Sequence, residues 1–134
     1  PAEVTGTLDF PHTYTYIRDF GEALATLGER DEALGQAWHV PNPPTLTQRE
    51  LVTLFFKEAG LKPRFTVMGK LMMIMGGLFI PIAREMVEMA YEFEKPFIVE
   101  SDKFVKTFGN MATPHDTAVK ETIAWYREHL RGKK

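Results

Sequence analysis

The chain has 134 residues and a formal net charge of −2. That length fits one domain, and the charge balance includes no basic tail or stripe that would hold a phosphate backbone. It contains no cysteine, which excludes disulfides, zinc–thiolate sites and thiol nucleophiles.

The N-terminal PAEVTG is loop-like, and a start at Pro1 without methionine is how a fragment begins. TYTYI, Thr13–Ile17, is β-branched and aromatic and predicts a short strand. Asp19 follows as N-cap of a helix over FGEALATLGER, with Phe20, Ala23, Leu24 and Leu27 as its apolar face and Gly28 at its end. QAWHV, Gln36–Val40, predicts a second strand, and PNPP then enforces an extended loop. The strongest local signal is TLTQRELVTLFFKEAGLKP. Thr47 and Glu50 form a capping box, Leu51, Leu54, Phe55 and Ala59 recur at helical spacing, and Gly60 with Pro63 stops the helix.

RFTVM, Arg64–Met68, predicts a third strand, and a long helical stretch follows from Lys70 to about Phe93, kinked near Gly76-Gly77 and Pro81. Its most apolar run, Leu71 to Ala83, is too short for the roughly 20 residues of a spanning helix. With no signal-peptide pattern, the expectation is a cytoplasmic protein without membrane contact. PFIVES is extended, and SDKFVKTFG is a short helix closed by Gly109. The last helix opens with Thr113 as N-cap and Pro114 at its first position; Val119, Ile123, Tyr126 and Leu130 predict its buried stripe.

These elements predict an α+β, mainly helical lobe with three or so short strands. Strands this short are thin material for an independent sheet, so the pattern points to part of something larger.

Three segments carry a resemblance. YTYIRDFGEAL, Tyr14–Leu24, makes a strand-to-helix step with Tyr14, Tyr16, Ile17, Asp19, Phe20 and Ala23 at its marked positions. GQAWHVPNPPTLTQRELVTLFFKEAG, Gly35–Gly60, runs from a short extended segment through a loop into a capped helix. DKFVKTFG, Asp102–Gly109, leads into a closing helix with an aromatic. In order and spacing they resemble the C-terminal part of the extended short-chain dehydrogenase/reductases, the NAD-dependent epimerase/dehydratase family. The resemblance implies that residues 1–134 are a single substrate-binding lobe, a fragment of an α/β Rossmann-type protein whose N-terminal cofactor domain is absent. NAD or NADP would then belong to that missing domain. The chain itself has no G-x-G-x-x-G turn to cradle a dinucleotide, so no cofactor site is expected in it.

Tyr91 and Lys95 have the Tyr-x-x-x-Lys spacing of that family's acid/base pair. Pro96 follows at once, and the resemblance puts this position in the wrong lobe, so the pair reads as a helix-end aromatic and a solvated lysine. No catalytic residue is expected. For substrate binding the expected residues are His12, Tyr14 and Tyr16. His12 stands where many epimerases of nucleotide sugars place an arginine, and histidine lacks that permanently charged fork. The family's R-x-G-D segment is also missing near KPFIVESD. Both departures favour a smaller, sugar-like or carbonyl substrate. The plainer alternative for His12 is a loop histidine beside core tyrosines.

His39, His115 and His129 are scattered without helical partners, so no metal is expected. Four methionines lie within the eight residues Met68–Met75; they read first as core and second as an adaptable surface. Expected partners are a small-molecule substrate, the missing Rossmann domain and further copies of the chain, with no nucleic acid. The rival reading is a stand-alone oligomeric interaction or regulatory module without activity. A DNA-binding role for TLTQRELVTLFFKEAG is weaker still, given the near-neutral charge.

Overall fold

The computed structural model describes residues 1–68, 74–75, 85 and 94–131, with the side chains of Thr5 and Arg131 excepted. The helical stretch expected over 70–93 lies largely outside the described residues, and with it most of the methionine run and Tyr91. Of the described residues 50% are helix and 11% strand, which makes the fold a mixed α+β, mainly helical one. The chain divides into two compact units, one of residues 1–12 and 46–97 and one of residues 13–45 and 98–134.

In the first unit, β1 (Ala2–Thr5) pairs in parallel with β4 (Phe65–Met68), in the register Ala2↔Phe65 and Val4↔Val67. The segment that reads as a loop, PAEVTG, is therefore a strand. Its partner lies some sixty residues on, so no local turn signal marks it. β2 (Pro11–His12) and β3 (Leu46–Thr47) form a two-residue antiparallel pair. α2 (Gln48–Ala59) follows β3 without a break. Thr47 accepts from the Glu50 backbone N–H at 3.2 Å, and the Glu50 carboxylate accepts from the Thr47 N–H at 2.8 Å, closing the capping box. Gly60 ends the helix at φ 74°, a left-handed conformation that costs glycine nothing. The Arg49 guanidinium grips Asp9 at 2.7 and 3.1 Å, and its backbone N–H donates to Leu8 O at 3.0 Å. Val4 and Leu8 form the buried apolar centre of this unit.

The second unit is helical. α1 spans Ile17–Gly28, a 3-10 turn follows at Asp31–Ala33, and α3 (Asp102–Phe108) and α4 (His115–Arg131) complete it. Its core holds Ala23, Ala33, Pro41, Phe104, Ala118 and Val119. Phe104 has no exposed surface and meets Phe108 and Trp38 edge-on, with ring centroids 5.1 and 6.2 Å away. The Trp38 indole N–H donates to Ala33 O at 2.9 Å, and Lys103 Nζ lies 4.0 Å from the centre of the indole ring while donating to Ala37 O.

Two expected strands are not strands. Thr13–Tyr16 and Gln36–Val40 run without regular structure, and their polar groups are satisfied one at a time. Val99 N–H donates to Thr13 Oγ1 at 2.9 Å, and the His39 ring N–H donates to Glu100 O at 2.9 Å. α1 also starts three residues earlier than Asp19 would set it: its N-cap is Tyr16, whose side chain makes no cap bond. Asp19 instead points inward from the first turn and is 3% exposed. Its two carboxylate oxygens accept from the Thr113 N–H at 2.7 Å and the Thr113 hydroxyl at 2.6 Å, so Thr113 ties α1 to the start of α4.

Candidate functional site

A cleft of about 720 Å³ opens in the second unit, between the start of α1 and one side of α4. The helical repeat explains which residues reach it. Glu121, Trp125 and Glu128 stand four and three positions apart on α4, one stripe of a helix. Thr122 and Tyr126 stand beside them, and Tyr16, Ile17 and Arg18 face them from α1 and the residue before it.

The polar part of the cleft is organised around one oxygen. Glu121 Oε2 accepts from the Tyr16 hydroxyl at 2.8 Å and from Arg18 Nη1 at 2.6 Å. These contacts fix the chemistry of all three groups. Hydrogen bonds from Tyr16 and then Arg18 hold the Glu121 carboxyl below the ordinary glutamate range. Burial, followed by the neighbouring carboxylate, pushes the Tyr16 phenol above its usual range. The bond to Glu121 raises Arg18 further. At neutral pH the result is a carboxylate held by a phenol and a guanidinium. Among the described residues Glu121 Oε1 has no hydrogen-bond partner.

The apolar part is supplied by Ile17, Trp125 and Tyr126, which are 74%, 52% and 55% exposed. Tyr126 sits edge-on to Trp125 at 4.9 Å, and the His129 ring is stacked on the indole at 3.8 Å. His129 thus takes up one indole face, and Trp125 is still half exposed. The His129 ring N–H donates to Trp125 O at 2.9 Å, which holds the stack in place.

Of the residues expected to bind substrate, Tyr16 lines the cleft. Tyr14 belongs to the same unit, is half-buried and has its phenol pushed upward by burial, but it is not a lining residue. His12 belongs to the other unit, where it is 7% exposed in β2 and its ring N–H donates to Phe10 O at 3.1 Å. Arg18, Glu121 and Trp125 carry the site without having been singled out in the sequence. The spacing of Glu121 and Trp125 on a helix could have found that pair, whereas nothing local links either to Arg18.

His115 donates from its ring to Pro44 O at 2.8 Å, and among the described residues no group of three or more histidines and acids converges on a point where an ion could sit. Among them, too, no helix is long and apolar enough to cross a membrane. Comparison of the chain with protein-family models, with curated proteins and with solved structures gives no match.

Proposed function

We propose that the chain is the substrate-binding part of an NAD(P)-dependent enzyme of the epimerase, dehydratase or reductase type. In this reading it supplies pocket walls and no reacting group, and the dinucleotide is held elsewhere in the enzyme. The observation that carries it is the cleft itself. Its volume of about 720 Å³ suits a small molecule, and it combines apolar side chains with a few fixed polar groups, the composition of ligand sites in general. A sugar-like or carbonyl compound matches that mixture: its body against Trp125, hydroxyls donating to Glu121, and hydroxyl or carbonyl oxygens accepting from Arg18.

The test is a heteronuclear NMR titration of the whole chain with small sugars and carbonyl compounds. The expected result is saturable movement of the Trp125 indole signal, with no NAD(P)H turnover. Tight binding of dinucleotide to the chain alone, seen by calorimetry, overturns the reading, and so does a panel that leaves Trp125 unmoved.

The second reading, an oligomeric interaction module, is favoured by the exposure of Leu34, Ile98 and Leu130 at 68%, 60% and 66%. Light scattering decides it: an assembly larger than one chain supports self-association, and a clean monomer at high concentration refutes it.

A further inference from the structure

The charges lining the cleft do not balance, and the imbalance speaks to the ligand. Arg18 is neutralised by Glu121 through the 2.6 Å contact. Glu128 is a second lining carboxylate, and among the described residues it has no partner. The lining is thus left with one uncompensated negative charge. Glu128 stands three positions beyond Trp125, and Glu121 stands four before it, so the indole is flanked along α4 by a carboxylate on either side. An aromatic ring attracts cations through its quadrupole, tryptophan most strongly, and the uncompensated Glu128 carboxylate adds to that attraction.

We infer that the cleft prefers a ligand carrying a positively charged nitrogen, such as an amino sugar or another small organic ammonium. The ammonium would lie against the Trp125 indole on the side of Glu128, both of which line the cleft. The uncharged body of the ligand would rest against Ile17 and Tyr126. This rests on the proposed role of the cleft as a ligand site and narrows the chemical class it takes. An anionic ligand is disfavoured by Glu128, and Arg18 offers it no free charge while Glu121 holds that guanidinium.

The experiment uses glucosamine, glucose and glucuronate, three pyranoses that differ in charge, together with tetramethylammonium as a cation without hydroxyls. Each is titrated into the 134-residue chain near pH 7 at low salt, and the Trp125 indole N–H signal is followed by NMR. Glucosamine is expected to bind about tenfold more tightly than glucose, with glucuronate weakest, and to weaken as salt rises. Glu128→Gln, a change at an exposed position, should narrow the gap between glucosamine and glucose to within about twofold. Equal or tighter binding of glucose or glucuronate overturns the charge preference while leaving the cleft a ligand site, and an unchanged gap in Glu128→Gln overturns it too. If neither the sugars nor tetramethylammonium moves the indole, the preference and the ligand site fall together.

Discussion

Removing the carboxylate of Asp19 should be among the costliest single polar changes in the second unit. Asp19 is 3% exposed, and its two oxygens accept from the Thr113 N–H and hydroxyl at 2.7 and 2.6 Å. Hydrogen bonds to a charged acceptor each contribute about 1.5–3 kcal/mol, and removing one side also leaves a donor without its partner. Asp19→Ala should therefore cost about 3 kcal/mol. Thr113→Val removes the hydroxyl bond but keeps the backbone N–H bond, so roughly half of that loss is expected from it. Asp19→Asn keeps the shape but presents an NH₂ where one Thr113 donor now points, and it should fall between the two. In a domain of this size 1 kcal/mol corresponds to roughly 3–5 °C of Tm, so Asp19→Ala should melt roughly 10 °C lower. Thermal unfolding followed by circular dichroism reads all three variants. The double variant adds the coupling energy, expected near 1–1.5 kcal/mol. If Asp19→Ala melts within 2 °C of the parent, or the two single losses simply add, the tie is not holding α1 to α4.

Four further outcomes follow from the same geometry. Gly60→Ala should cost about 1–2 kcal/mol in urea unfolding from the left-handed φ of 74° alone, because an added Cβ meets nothing within 4 Å. Thr47→Ala should cost about 1 kcal/mol by removing the cap of α2. Phe104→Ala empties a fully buried ring position and should cost about 3–5 kcal/mol, with loss of the near-ultraviolet signal from Trp38. The Tyr16–Glu121–Arg18 contact should define a pH window. Glu121 is depressed in the folded chain, so its contribution is present above the ordinary glutamate pKa near 4.5 and is lost as pH falls through the lower folded value. Tyr16 is raised, so its contribution is full below about pH 10 and is lost as pH rises through the higher folded value. NMR shifts of the two side chains against pH check both edges; a Glu121 carboxyl titrating at its ordinary value would refute the acid edge.

The elements legible in the sequence are those written in neighbouring residues. α2 is readable from Thr47, Glu50 and Gly60 because capping is decided within one turn. α3 is readable up to Gly109 for the same reason. Of the expected strands RFTVM is one, as β4 (Phe65–Met68), but the others are not, because pairing depends on a distant partner. TYTYI has the residue types of a strand, yet its segment finds a helix start and isolated side-chain bonds, whereas PAEVTG finds Phe65–Met68. Periodicity identifies the faces of α1 and α4 but not how far each is covered. Ala23 and Val119 are buried as expected, while Phe20, Leu24, Tyr126 and Leu130 are exposed by 43–66%. The site divides in the same way. Tyr16 stands out as an aromatic in a marked segment, but Arg18 and Glu121 are 103 positions apart and only the fold joins them.

Each unit is assembled from two separated stretches of the chain, which has a consequence during synthesis. Asp19 and Thr113 lie 94 positions apart, so the first helix leaves the ribosome long before its partner has been made. At roughly 5–20 residues per second that interval is roughly 5–20 s. For that time the Asp19 carboxylate, buried in the folded unit, is without the Thr113 donors that satisfy it, a window in which a chaperone or a neighbouring nascent chain can reach the first helix.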